Sequence, residues 1–477
     1  MSRINTNVAS LTAQRGLATS QKSLTNTLQR LSSGLRINRG ADDPAGLIAS
    51  EGLRSEISGI NQAIDNSSRA GNVISTTEGA LSEVANLLLN VKSLVVQAAN
   101  SGALSPEEIR ANQLQVDSAV ESITRISSNT TFAGLHLIDG SLDYLTSGVA
   151  NSAVTALHIS HANFGANPNI PVNINVITSA RTADLQFRAS AVISSVTLEI
   201  AGNNGVQTLT FVSGTPASAI AFAVNRISDS TGVAARLINP ANAASGVDFV
   251  STGFGSKQFV SVQSQSGSFA TVDSTGATKK RVVGRDAVAT VNGAVTTADG
   301  LSLKVNTNSL DLDLTLDKSF GQQKTSFVVT GGGALFQLGA QVGSNDQVSI
   351  GIQSVAASRL GNAVTGFVSD LVTGGKSSLV NGKTAEASSV LELAVSQVAI
   401  LRGKLGAFEK NTLQTSANSL NIALENVTSS ESSIRDANFA LETSNLTRAQ
   451  ILSQAGTSVL ATANSTPQSV LTLLQGR

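Results

Sequence analysis

The apolar positions change period twice along the chain. Up to about residue 145 they recur at helical spacing. Leu17, Leu24, Leu28, Leu31 and Leu35 advance by seven, four, three and four, the seam of a coiled coil. Ile4, Val8 and Leu11 continue that stripe upstream in a shifted phase. A second segment carries Ile57, Ile60, Ile64, Ile74, Leu81, Leu88, Val91 and Val95, which predicts a rod of roughly 65 Å over residues 57–100. "SGALSPEEIR" (101–110) then supplies a stop and a restart, with Ser105 as cap, Pro106 at the first helical position and Glu107 and Glu108 in the first turn. A third helix is expected through Val116, Val120, Ile123 and Ile126. From about 385 to the end the pattern is mirrored. Leu391, Val398 and Leu405 are seven apart, as are Leu413, Leu420 and Val427. "SSIRDANFA" (432–440) interrupts, and a terminal helix follows with Leu452, Ala455, Val459 and Ala463, ending in the apolar "SVLTLL" (469–474). The two ends therefore predict one antiparallel bundle with both termini at the same end.

Between about 146 and 384 the period drops to two. "VTLEIAG" (196–202) and "LDLDLTL" (310–316) alternate as half-buried strands do, and "VNGAV" (291–295) places Asn-Gly where a tight hairpin needs it. "PASAIAFAVNRISDSTGVAARL" (216–237) reads as a helix ended by Gly232 and followed by a strand. The fold class is thus mainly α at both ends, with an inserted β-rich centre of one or two small domains, α+β multidomain overall. The expected division is 1–44 with 435–477 as a terminal coiled-coil domain, 45–145 with 385–434 as a rod, and 146–384 as the insertion.

One stretch breaks the helical pattern. In "RINRGADDPAGLIASEGL" (36–53), Gly40, Asp42, Asp43 and Pro44 separate two good helices. The first helix should end near Gly34. Asp43 can cap the next, and Pro44 suits its first position while forbidding continuation from upstream. Such a break lets the terminal helix pack in a different layer from the rod.

Charge narrows the partners. The formal net charge is zero and 13% of residues are charged, well under the usual quarter. No basic footprint marks a nucleic-acid or anionic-membrane partner. Weak self-repulsion favours association of like molecules. With no Cys, disulfides are excluded. The N-terminal stretch has no apolar core of a secretory signal, and no run of eighteen apolar residues predicts membrane insertion. Residues 1–35 carry few apolar side chains for their length, so this arm is expected to order when many arms pack side by side.

Candidate chemistry is sparse. "GGKSS" (374–378) lacks the earlier Gly of a phosphate-binding loop, Asp370 standing in its place, and reads as a flexible loop. His158 and His161 in "HISH" would lie on opposite faces of a strand, with no neighbouring carboxylate or Cys cluster in sequence to complete a metal site. His136 is the one remaining histidine. Adjacent Asp42 and Asp43 do not face each other on a helix. No catalytic, cofactor or metal site is predicted, and the chain does not read as an enzyme.

"LSSGLRINRGADDPAGLIASEGLRSEI" and the opening "INTNVASL" (4–11) closely resemble the N-terminal signature of bacterial flagellin. "LRGKLGAFEKNTLQTSANSLNIALENVTSSESSIRDANFALETSNLTRAQILSQAGTSVLATAN" (401–464) resembles its C-terminal region, so the likeness covers about 1–145 and 385–477. Within the insertion, residues 196–237 are similar to a module of many flagellins and hook-associated proteins, and 332–361 to the return segment of some flagellins.

The resemblance implies a subunit exported unfolded by the flagellar type III apparatus and polymerised under a cap into an extracellular filament that drives swimming. Terminal helices would form an inner tube, rod helices an outer one, with the insertion facing solvent. By this analogy Leu24, Leu28, Leu31, Leu35, Leu452, Val459 and Leu460 pack the inner tube, and the C-terminal helices bind an export chaperone. Cap and hook–filament junction proteins would be further partners. In flagellins sensed by the vertebrate innate receptor, a Gln-Arg pair precedes a Val-x-x-Leu pattern on the rod helix. Here "LLNVKSL" (88–94) has, after Leu88, the pair Leu89-Asn90 in that place before Val91, with Leu94 retained, and Gln115 replaces an acidic residue on the next helix. Asn cannot make Arg's bidentate contacts, so weak recognition is expected. A hook–filament junction protein, or a binding protein displayed on the filament through its centre, are the alternative readings.

Overall fold

The structure is a computed structural model describing residues 6–100, 102–165, 167–242, 245–307 and 309–476. Ile4 lies outside the described residues, as do the side chains of Val470, Leu471, Leu473 and Leu474. The described helices are α1 (Val8–Ser33), α2 (Pro44–Ala99), α3 (Pro106–Asn129), α4 (Ala217–Arg226), α5 (Ser228–Thr231), α6 (Thr384–Phe408), α7 (Gln414–Arg435) and α8 (Phe439–Gln475). A π-helical turn, Glu409–Leu413, joins α6 to α7. Contacts divide the chain into two compact units: Met1–Ser68 with Leu338–Val342 and Leu413–Arg477, and Arg69–Gln337 with Gly343–Thr412.

In the first unit α1 and α8 run antiparallel. Asn7 caps α1, accepting from Ser10 N at 3.0 Å, and its side chain donates to Ala463 O at 2.8 Å. Ser10 Oγ meets Asn464 Oδ1 at 2.8 Å, and Arg30 pairs with Glu442 at 3.2 Å near the other end. The inward positions of α8 are Glu442, Leu446, Ala449, Ser453, Gly456, Leu460 and Ala463, in alternating steps of four and three. Most are small. At Gly456 an added Cβ would sit 3.3 Å from Leu17 Cδ1, so the helices approach closely there.

The second unit holds most of α2, with α3 and α6. Along α2 the buried positions Ile60, Ala63, Ser67, Ala70, Ile74, Thr77, Leu81, Val84, Leu88, Val91, Val95 and Ala98 keep a three-four rhythm throughout. Ile57 and Ile64, read as part of this seam, are only half-buried, and small residues fill the intervening positions. Arg402–Glu78 at 2.9 Å and Lys92–Glu392 at 3.2 Å join α6 to α2. The capping box before α3 forms as expected: Ser105 accepts from Glu108 N, and the Glu108 carboxylate accepts from Ser105 N at 2.7 Å. Helices Pro44–Ala99 and Thr384–Arg435 are, by length and composition alone, long and apolar enough to cross a membrane.

The centre contains two β cores. In the first, strands 294–295, 288–291, 170–178, 324–332 and 144–147 form one antiparallel sheet, and 297–299, 302–306, 310–316 and 154–162 another. They share a core including Val172, Ile174, Ile159, Leu303, Leu312, Leu314 and Phe327. The predicted hairpin is present, with Asn292 at φ +48° and Gly293 at φ +86°. In the second core, strands 281–283, 259–266, 196–202 and 205–211 and strands 184–187, 247–251 and 233–237 pack with α4 around Leu198, Ile200, Ile220, Val224 and Phe249. The helix read over 217–231 is interrupted at Ile227 into α4 and α5, and ends at Gly232 with φ +73°.

Candidate assembly surfaces

The two breaks in helical pattern meet each other. Helix α1 ends at Gly34, which takes the left-handed conformation at φ +70°. Leu35 then forms an antiparallel bridge with Asp436. Arg36 N donates to Arg435 O at 2.7 Å and Ala437 N to Gly34 O at 2.9 Å, while the Arg36 guanidinium reaches Ile434 O. Arg435 in turn pairs with Glu51 at 2.9 Å. Sequence reading located both breaks and missed that they are stitched together.

Within the first break each predicted residue has a place. Asp42 Oδ2 accepts from Arg39 N at 2.9 Å and Asn38 N at 3.1 Å, and these backbone donors hold its carboxyl below the usual range. Asp43 Oδ1 accepts from Gly46 N at 2.9 Å, capping α2 at Pro44. Gly40 has room for a side chain, a Cβ there reaching Leu47 at an ordinary 3.7 Å. The constrained glycine is Gly46, where a Cβ would collide with Asp43 and lie 2.8 Å from Ile37 Cδ1. Ile37 itself is buried and anchors the linker.

The leucine stripes divide by exposure. Leu24, Leu31, Leu35 and Leu460 are half-buried. Leu28, Leu452 and Val459 are 48%, 48% and 58% exposed, and Val8, Leu11 and Ile451 join them. An apolar groove runs between the helices, lined by Val8, Ala13, Gly16, Leu17, Leu452 and Val459. The α1/α8 pair thus spends small residues on its own seam and presents large apolar ones outward, the reverse of a helix pair built to stand alone.

On the rod, Leu88 and Val91 are fully buried in the α2 seam, Leu94 is half-buried, and Asn90 is exposed. Gln115 is exposed on α3. The "GGKSS" segment, expected to be a flexible loop, packs against α3: Ser377 and Ser378 are buried, Thr373 N donates to Asp117 at 2.8 Å, and Leu379 N donates to Gln113 Oε1 at 2.8 Å. Asp370 accepts from Phe367 N at 2.8 Å, which closes the turn before it.

The histidine pair requires a correction. His158 and His161 lie opposite Asp313 and Asp311 in the register of strands 154–162 and 310–316, with a shift between Ile159 and His161. The extra residue, Ser160, restores both histidines to one face. Two carboxylates remote in sequence face them.

The chain matches the family model of the bacterial flagellin N-terminal helical region over residues 4–143 and that of the C-terminal helical region over 389–474. It is 32% identical to the B-type flagellin of Pseudomonas aeruginosa and 30% identical to a flagellin of Salmonella rubislaw, in each case over 99% of both chains. Among solved structures, flagellar hook associated protein-3 of Legionella pneumophila is similar at 12% identity and a TM-score of 0.31, over 80% of this chain and 97% of that one. The helical ends, the β-rich insertion and these full-length matches together place the chain in the bacterial flagellin family: it is a structural subunit of the extracellular flagellar filament, serving motility, and not an enzyme.

Proposed function

We propose that the outward apolar face of α1 and α8 is the surface through which subunits bind one another in the filament's innermost layer. The observation that carries this reading is the exposure of Leu28, Leu452 and Val459 beside a seam of small residues. Leu24, Leu31, Leu35 and Leu460 then serve both the internal pair and the assembly. Residues 1–44 with 435–477 form the inner layer, 45–145 with 385–434 the rod, and 146–384 the part facing solvent. Before assembly the C-terminal helices, with their uncovered apolar face, bind an export chaperone that keeps them from polymerising during passage through the flagellar type III apparatus. The assembled end meets the cap, and the first subunits meet the hook–filament junction proteins.

Polymerisation tests the central claim. Heat-depolymerised monomer is mixed with sheared seeds and viewed by negative-stain electron microscopy, beside a chain truncated after Ser432. Long filaments from the full chain alone support the reading. Equal growth by the truncated chain refutes it.

Recognition by the vertebrate innate receptor is weak in this reading. Leu88 and Val91 are committed to the seam, and the exposed Asn90 offers one amide where a guanidinium would offer a bidentate fork. A cell reporter responding at ordinary flagellin doses overturns this point.

A further inference from the structure

The corrected histidine pair belongs to a larger polar face in the first β core. On strand 310–316 the leucines point into the core, and Asp311 and Asp313 point away from it. Opposite them on strand 154–162 stand His161 and His158, and on the other side Lys304 lies 3.5 Å from Asp313. The face is closed by α6, and the cleft that His158 lines is also lined by Asp139, Asp143, Tyr144 and Arg359. Lys404 Nζ lies 2.8 Å from Asp313 Oδ2 and donates to Ser160 Oγ at 2.5 Å, so one ammonium bridges both strands. His161 Nδ1–H donates to Ser349 O at 2.7 Å, the acceptor being a carbonyl. Asp311 Oδ1 has no hydrogen-bond partner among the described residues. Helix α6 is held independently by its buried seam and by the ion pairs of Arg402 and Glu392 with α2. Loss of the Lys404 contact would therefore release the polar face of this sheet from α6 and leave the helix in place.

We propose that the face formed by His158, His161, Asp311 and Asp313, closed by Lys404, is an acid-operated latch that holds this sheet to α6 and releases it as the pH falls.

The sign follows from His158. Burial first, then Lys404 and Lys304, lower it from 6.5 to about 4, against an opposing pull from Asp313. In the released sheet it regains its ordinary value, so the open form binds the proton first. The latch is at full strength above about pH 6.5 and weakens about tenfold per pH unit down to about pH 4. Burial is the largest single influence on Asp313 and raises it, but the Lys404 hydrogen bond together with the Lys404, Lys304 and His158 charges outweighs burial and holds it below its ordinary value, so it stays ionised through this window. Asp311 works the other way: burial raises it, and its protonation relieves that burial at the acid end.

Hydrogen exchange read by mass spectrometry on filaments of the full chain tests the latch, with rates corrected for intrinsic pH dependence. The chain has three histidines, so the controls are few. In the natural sequence, opening of strands 154–162 and 310–316 should rise about tenfold per pH unit between about pH 6 and 4.5, with α2 unchanged. His158→Gln should flatten that rise, and His136→Gln should leave it intact. Lys404→Met should open both strands at neutral pH at least tenfold, again with α2 protected. A flat profile in the natural sequence overturns the proposal without recourse to any variant. A slope that survives His158→Gln overturns it equally.

Discussion

Single residues in this chain matter most where the two ends touch. Arg30 and Glu442 form an oppositely charged pair in a seam that otherwise carries small, apolar and uncharged polar residues, and the Glu442 side chain is only 7% exposed. Removing Arg30 leaves a nearly buried carboxylate without its partner. Because the Arg30 side chain is itself one-third exposed, the cost falls below that of a fully buried pair. Arg30→Leu is expected to destabilise the α1/α8 pair by about 2 kcal/mol, read as a lower urea midpoint for loss of far-ultraviolet helicity in the monomer. The substitution Glu442→Gln, which keeps a polar group without the charge, should cost less. Asp42 adds a dependence on acidity in the same region. Its carboxyl lies below the unfolded range, so its contribution is present at neutral pH and is lost as the pH falls through its folded value.

Among the elements, α2 shows what a sequence discloses and what it hides. Its start, and that of α3 after it, were readable because Pro44, Ser105 and Pro106 have local conformational demands that no tertiary context alters. The seam was only half readable. Ile74, Leu81, Leu88, Val91 and Val95 announce themselves by size, whereas Ala63, Ser67, Ala70 and Thr77 occupy equivalent positions and are silent to a count of large apolar side chains. The β centre was less legible still, since pairing between residues such as His158 and Asp313 spans a separation that no local pattern encodes. The bulge at Ser160 is the sharpest case. One extra residue reverses which face His161 occupies, and alternation in the sequence cannot reveal it. Truncation at a large seam position should be expensive. Leu81→Ala removes a fully buried side chain and is expected to cost about 2–5 kcal/mol, measured by thermal unfolding of the depolymerised subunit. The same change at the exposed Leu89 should stay within about 0.5 kcal/mol.

At the scale of the molecule, stability and assembly draw on different residues. Leu452 and Val459 contribute little to the folded subunit because each keeps about half its surface open. The double variant Leu452→Asp, Val459→Asp is therefore expected to preserve monomer helicity by circular dichroism and to abolish growth from seeds. Normal filaments from that variant would move the assembly surface elsewhere. The bridge between Leu35 and Asp436 has a different kind of consequence. It pins the chain's outward path beside its return path, so the chain from Arg36 to Arg435 is a loop whose two ends are closed on each other at this clasp. The entropy of closing such a loop grows only with the logarithm of its length, about 0.6 kcal/mol per doubling. The clasp therefore scarcely senses how much chain it encloses. Domains can be added to or removed from the middle over evolutionary time, or by a designer grafting a cargo there, while the geometry handed to the terminal helices stays the same.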